Sequence, residues 1–262
     1  MTWEDVAVRF RQLAREEGRA GVLAAVQLGQ VRLLPQQEQY LRARLEPLMR
    51  KTGAGPSRRS DAGPDITAVS LGLAYDSDEL RGIPRAWATN PDRAAWNEYA
   101  RAYGLLNEAV TRVAARLAGE FGGVSEGATL EGRAGQVKHV SDYYPHCVSH
   151  RAVAAAAGLG WLGKHGLLVT PESGPALRLS TVFLPGAVES PSRGLDGGSG
   201  GGWGWGWGWG CGSCRACFDA CPILEHAVDE DDRDRYRERC LRRIRSLALE
   251  ADVCGICVRA CV

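Results

Sequence analysis

The chain has 262 residues, a net charge of +1 and 45% apolar residues. That size allows one large domain, or a medium domain with a small one, and the near-neutral charge gives no sign of a polyanion-binding protein. No run of about 18 apolar residues occurs, so no membrane span is expected. The polar start Met1-Thr-Trp-Glu-Asp5 lacks a secretory apolar segment, which leads to the expectation of a cytoplasmic chain with reduced thiols.

Taken in chain order, Thr2-Trp-Glu-Asp5 has the form of a capping box with Asp as its acidic member. Val6, Phe10, Leu13 and Ala14 continue at helical spacing, so a helix is predicted over 3–17, ended by Gly18. Residues 21–33 read as a strand and turn, and 36–51 as a helix with Tyr40, Leu41, Leu45 and Leu48 on one face. The Gly- and Pro-rich stretch 52–64 reads as a loop, and 66–75 as a buried strand. A long helix is predicted over 93–121 from Tyr99, Tyr103, Leu106, Val110, Val113, Leu117 and Phe121. An alanine-rich helix near 149–157, with Ser149 as its cap, precedes strands near 166–170 and 177–184. Interleaved strands and helices predict an α/β or α+β layer fold for 1–188.

Residues 189–210 read as a linker ending in a Gly-Trp repeat from Ser199 to Gly210. Glycine at every second position gives a flexible backbone and no core, so a low-complexity insertion is the plain reading. A stacking surface for a base or another flat ring is the sharper one.

Eight of the nine cysteines fall within 211–262. Cys211, Cys214, Cys217 and Cys221, followed by Pro222, form C-x2-C-x2-C-x3-C-P, the run that binds iron–sulfur clusters in bacterial ferredoxins. Cys240, Cys254, Cys257 and Cys261 complete the eight thiolates that two [4Fe-4S] clusters need. Zinc and disulfides also use close cysteine pairs, but neither calls for a compact four-cysteine run ending in proline. Spacing assigns Cys211, Cys214, Cys217 and Cys261 to one cluster. Cys221, Cys240, Cys254 and Cys257 go to the other, because a cysteine after an x3 gap points away from its local neighbours. The tail is short and hydrophilic, so it is expected to bury little by itself and to draw its folding energy from the clusters.

A second constellation spans 137–184 and contains four of the five histidines, with Asp142, Tyr143, Tyr144, Cys147 and Lys164. Gly158, Gly160 and Gly163 follow a helix, the wrong order for a dinucleotide fingerprint, so a close backbone approach to a flat ligand is expected of them. His146 and His150 read first as satisfied polar groups, and Cys147 as a small core residue. Asp142 suits a turn; between aromatic neighbours it could instead have a raised pKa and donate a proton.

Together these segments resemble the epoxyqueuosine reductase-like family, cobalamin- and iron–sulfur-dependent reductases related to reductive dehalogenases. Gly158-Leu-Gly-Trp-Leu-Gly-Lys164-His165 is similar to the family's A-G-L-G-W-x-G-K-[NH] motif, and Asp142-Tyr-Tyr-Pro145 to its D-x-A-P motif. The eight cysteines, including the isolated Cys240, follow the family's order. The resemblance implies an α+β fold: a nitroreductase-like α/β layer domain holding cobalamin over 1–188, with a ferredoxin-like double-cluster module over 211–262 that passes electrons to it. It implies Asp142 as proton donor, and Gly160, Trp161, Lys164 and His165 along the corrin. A wide pocket bordered by Asp142, Tyr143, Trp161 and His165 is expected. An external flavodoxin- or ferredoxin-type reductant is implied, with a small molecule or modified nucleoside as substrate. Tyr144 stands where the family has a small residue, and the interval from Asp142 to Gly158 is longer than usual, which sets tRNA behind those two substrate classes. The competing reading is an electron-transfer subunit serving a partner protein. Nucleic-acid contact through Arg233–Arg239, Arg242 and Arg243 is a third, but interleaved acids favour a solvated helix there.

Overall fold

The computed structural model describes residues 1–51, 65–87, 91–129, 137–188, 209–225 and 233–262. Helix α1 (Trp3–Glu16) starts with reciprocal hydrogen bonds between Thr2 and Asp5, the expected capping box. Strand β1 (Gly21–Gln27), helix α2 (Pro35–Lys51) and strand β2 (Ile66–Ala74) follow. Then come the long α3 (Arg93–Glu120), capped by the Asp92 carboxylate, and the short β3 (Val124–Glu126). Helix α4 (His150–Ala156), capped by Ser149, leads through the hairpin β4 (Trp161–Leu162) and β5 (Leu168–Val169) to β6 (Leu177–Pro185). The tail carries α5 (Ala216–Ala220), α6 (Pro222–Glu225), α7 (Arg233–Leu247) and α8 (Ile256–Arg259).

The main sheet has the order β1-β2-β6-β3 with every pair antiparallel. Strand β2 is buried along nearly its whole length because helices cover both of its faces. Val69, Leu71 and Leu73 meet Phe10 and Leu13 of α1 and Leu106, Val110 and Val113 of α3. Ile66 and Ala68, on the alternate face, meet Leu41, Leu45 and Leu48 of α2 and Val153 of α4. The result is a mixed helix–sheet fold with the sheet between two helical layers.

Two differences from the sequence reading have physical reasons. The tail was expected to bury little, yet Leu247, Val253, Ile256 and Val258 belong to the same core as α1, α3 and β2. The tail is no poorer in apolar residues than the rest of the chain, and these four pack into the core that α3 shares. The arginine-rich segment is a helix, as expected, but most of α7 is half-buried rather than solvated. Arg243 stacks over the Trp87 ring at 4.1 Å, and Arg245 donates to the Val137 carbonyl. The predicted loop at 52–64 and the Gly-Trp tract up to residue 208 lie outside the described residues. Among the described residues no helix is long and apolar enough to cross a membrane.

Candidate functional site

The eight tail cysteines are carried on short elements that bring distant thiols together, and all nine cysteines are free thiols. Cys211 and Cys214 close a turn through a 2.9 Å bond from Cys214 N–H to the Cys211 carbonyl. Cys217 lies in α5, Cys221 just before α6, Cys240 in α7 and Cys257 in α8, with Cys254 and Cys261 flanking α8. Burial pushes Cys217 up to about 11, reinforced by Cys261, Cys211 and Cys214. Burial also raises Cys261, with Cys211 and Cys214 as its thiol neighbours. Cys240 is pushed up to about 12 by burial, then by Cys254 and Cys221. Burial raises Cys254 to about 11 and Cys257 well above the usual thiol range; both also feel Cys221. Two neighbourhoods result. One contains Cys211, Cys214, Cys217 and Cys261, the other Cys221, Cys240, Cys254 and Cys257, and Cys217 is also near Cys257. Among the described residues, no group of three His, Cys, Asp or Glu side chains is placed to hold a metal ion. A cube of four irons binds its sulfur ligands at separate corners, and therefore farther apart than a single ion does.

Helix α3 is the platform for the second neighbourhood. Trp96 Nε1 donates to the Cys254 carbonyl at 2.7 Å, from a side chain only 1% exposed. Gly255 is left-handed at φ 80°, and a Cβ there would stand 2.5 Å from Tyr99 Cε1. Only glycine satisfies both the turn and the contact. Three guanidinium N–H groups, Arg239 Nη2, Arg243 Nε and Arg259 Nε, are buried with no acceptor. Buried donors normally have partners; these three lie on α7 and α8, the helices that carry Cys240 and Cys257, where an anionic group would supply acceptors.

The expected cofactor-binding residues Gly160, Trp161, Lys164 and His165 all contact other parts of the chain. Lys164 Nζ donates to the Gly212 and Cys214 carbonyls at 2.7 and 2.8 Å. Gly210 lies so close to the Trp161 indole that a Cβ would meet Cδ2 at 2.5 Å. Gly160 packs against the Val169 carbonyl across the β4–β5 hairpin. The close approach expected of this glycine toward a flat ligand is thus made to the protein's own backbone. His165 is 5% exposed and accepts from Leu167 N–H at Nδ1, and burial lowers its pKa to about 4. Tyr236 of α7 reaches the His165 carbonyl at 3.4 Å.

Asp142 sits in a 3-10 turn over Val140–His146 and accepts from the Lys138 and His139 N–H groups, both at 2.8 Å. Those N–H donors, His139 first, hold its carboxyl below the usual carboxylate range. The raised pKa considered for Asp142 is therefore not found, because its immediate partners are backbone donors rather than aromatic rings. The turn is tied to α7 by Val140 N–H to Glu238 Oε1 at 2.6 Å. His150 is satisfied in the core by Thr181 and the Gly127 carbonyl, and the buried Cys147 bonds the Tyr143 carbonyl, as expected of structural residues.

A groove of about 640 Å³ runs between α2 and this turn, lined by Gln36, Gln39, Tyr40, Arg44, Pro47 and Pro145. Its lining contains none of Asp142, Tyr143, Trp161 and His165, the four residues expected to border a pocket. Two of its lining residues, Tyr40 and Arg44, are held by a buried carboxylate missed in the sequence. Glu126, 1% exposed, accepts from Tyr40 Oη and Arg44 Nε at 2.8 Å each. Trp96 and Arg259 were also missed, and Tyr236, Arg239 and Arg243 were considered only as part of a nucleic-acid contact, not beside the cysteines. The spacing of Tyr236 and Arg243 around Cys240, one helical turn before and about one after, is the signal that could have found two of them.

No protein-family model matches the chain. It is 28% identical over 246 residues to an epoxyqueuosine reductase of Xanthomonas campestris pv. campestris, covering 86% of this chain and 59% of the relative. It is 37% identical over 82 residues to an epoxyqueuosine reductase of a Synechococcus species, covering 30% of this chain and 20% of that relative. A structure of epoxyqueuosine reductase from Streptococcus thermophilus aligns over 98% of this chain and 65% of its own, at 17% identity and a TM-score of 0.48. The chain thus spans less than two thirds of the length of these relatives. Its resemblance to epoxyqueuosine reductases, read above from motifs, extends to sequence alignment along most of its length.

Proposed function

We propose that this chain, a sequence relative of the epoxyqueuosine reductases, is an iron–sulfur oxidoreductase that relays electrons through two [4Fe-4S] clusters to a site beside its nitroreductase-like layer. Residues 1–188 form that layer, 189–210 the linker and 211–262 the ferredoxin-type module. Cys211, Cys214, Cys217 and Cys261 hold the first cluster. Cys221, Cys240, Cys254 and Cys257 hold the second. The observation that carries this reading is the sorting of eight thiols into two neighbourhoods of four. The unpartnered guanidinium donors of Arg239, Arg243 and Arg259 fit the same reading, since cluster sulfurs and thiolates are acceptors. When bound, the clusters supply one-electron transfer at potentials set by their hydrogen bonds and exposure.

The chain's own residues do the rest. Burial at Cys240 and Cys257 keeps water from the second neighbourhood, whereas Cys214 of the first is exposed. Helix α3 fixes Cys254 through Trp96, and α7 carries Cys240 while Glu238 holds the turn that bears Asp142. Asp142 is the proposed proton carrier. At neutral pH it is a carboxylate in this arrangement, so it must take up a proton before donating one, and the two backbone N–H groups compete for the same oxygen. Replacing Asp142 with Asn is expected to lower turnover by about 10²–10⁴-fold, the usual share of a positioned acid, with cluster content unchanged. Full turnover in that variant would remove Asp142 from the chemistry.

Cobalamin does not fit Gly160, Trp161, Lys164 and His165 as they are arranged, because Lys164 and Trp161 are engaged with the first cysteine run and His165 is buried. An absorption titration of anaerobically reconstituted protein with cobalamin tests this: a retained corrinoid band would require the segment to release the cysteine run. The substrate proposed is a modified nucleoside or related small molecule, taken as a free compound or in an RNA stem-loop. The carrier alternative, an electron-transfer subunit without its own substrate, is not favoured by relatives that are named as reductases. The test is spectroscopic and kinetic together. Dithionite-reduced, oxygen-free protein should show the electron paramagnetic resonance of two interacting cubane clusters, and should consume reductant when offered epoxyqueuosine nucleoside or stem-loop. Cluster signals with no turnover on either would favour the carrier.

A further inference from the structure

The Lys164 ammonium crosses from the β4–β5 hairpin to a loop 48 residues away, donating to Gly212 O at 2.7 Å and Cys214 O at 2.8 Å. The Phe218 ring centroid lies 6.0 Å from the same nitrogen. On the other side of the segment, Tyr236 contacts His165 from α7, one helical turn before Cys240. Residues 160–165 therefore bridge the two cysteine neighbourhoods. Their positive charge sits on the backbone of only the first.

We propose that Lys164 is a positioning residue that sets the reduction potential of the cluster held by Cys211, Cys214, Cys217 and Cys261. This rests on the two-cluster reading above. Reducing that cluster by one electron from an external reductant adds one negative charge. No bond forms or breaks and no proton moves. An ammonium fixed on the ligand loop stabilises the reduced state more than the oxidised state by simple Coulomb attraction. Its two hydrogen bonds hold the charge at a fixed position on that loop. The second cluster keeps its own cations in Arg237 and Arg243, which lie near Cys240 and Cys254. Lys164 thus raises the potential of the first cluster independently of the second, and so sets the gap across which electrons pass between them.

The test uses anaerobically prepared full-length protein as wild type, Lys164→Met, Lys164→Gln and Lys164→Arg. Iron and sulfide are measured first, followed by a redox titration monitored by electron paramagnetic resonance. A Cys240→Ser preparation, which removes a thiolate from the second neighbourhood, identifies the first cluster's midpoint. Met and Gln at 164 should keep wild-type iron and sulfide and lower the reduced-to-oxidised ratio of the first cluster about tenfold at fixed poise, which is 59 mV. The second midpoint should stay in place, and Lys164→Arg should restore the first. Unchanged midpoints in fully loaded Met and Gln variants would overturn the proposal. So would loss of the first cluster from the Gln and Arg variants alike, because the lysine would then be structural only. Wild-type protein without iron or sulfide would instead defeat the two-cluster reading, before any variant is compared.

Discussion

A lowered pKa means opposite charge states at His165 and Asp142. Backbone donors keep Asp142 ionised, whereas burial keeps His165 neutral. The unfolded chain takes up a proton at His165 as the pH falls through about 6.5, and the folded chain does so only near 4. Stability linked to this residue is therefore complete above the unfolded value and is lost between those limits, roughly 3 kcal/mol in all. Urea unfolding at pH 7 and pH 4.5 checks this: wild type should lose more stability than His165→Asn, and equal losses would place the histidine in water. Gly255 makes a sharper residue-scale case. Gly255→Ala strains a left-handed position and drives a methyl into Tyr99. Iron content should then fall from about eight to about four per chain as the second cluster fails to assemble; unchanged iron would show that the tail can shift away from α3.

The elements divide by how local their causes are. The starts of α1 and α4 were legible because their caps, Thr2 with Asp5 and Ser149, act within one turn. The core faces of α2 and α3 were legible from helical spacing. Strands β3 and β4, of three and two residues, were not, because such short pairings exist only through partners supplied by β6 and β5. The division of the eight tail cysteines into two groups could be read because their spacing is itself the signal. The bond from Lys164 to Cys214, which are 50 residues apart, could not. Nor could the dependence of the tail on α3. That dependence predicts that Trp96→Phe, which leaves the Cys254 carbonyl without its donor, lowers stability by about 1–3 kcal/mol. The loss should also slow cluster reconstitution. A denaturant midpoint unchanged from wild type would mean that α3 does not support the second neighbourhood.

At the scale of the molecule, an antiparallel sheet between helical layers presents one end of α3 to a tail whose Leu247, Val253, Ile256 and Val258 join its core. The tail then arranges thiols from positions as distant as 211 and 261 side by side. The hairpin segment 160–165 and the turn at Asp142 both reach this tail, the first through Lys164 and the second through Glu238. The layer and the cysteine module are thus mechanically connected at two places, as electron delivery to a neighbouring site requires. The measurement that bears most directly on this is the iron, zinc and acid-labile sulfide content of full-length protein purified without oxygen. About eight irons and eight sulfides per chain, falling to about half in Cys240→Ser, is the predicted result. A colourless protein with one or two zinc ions and no sulfide would contradict it.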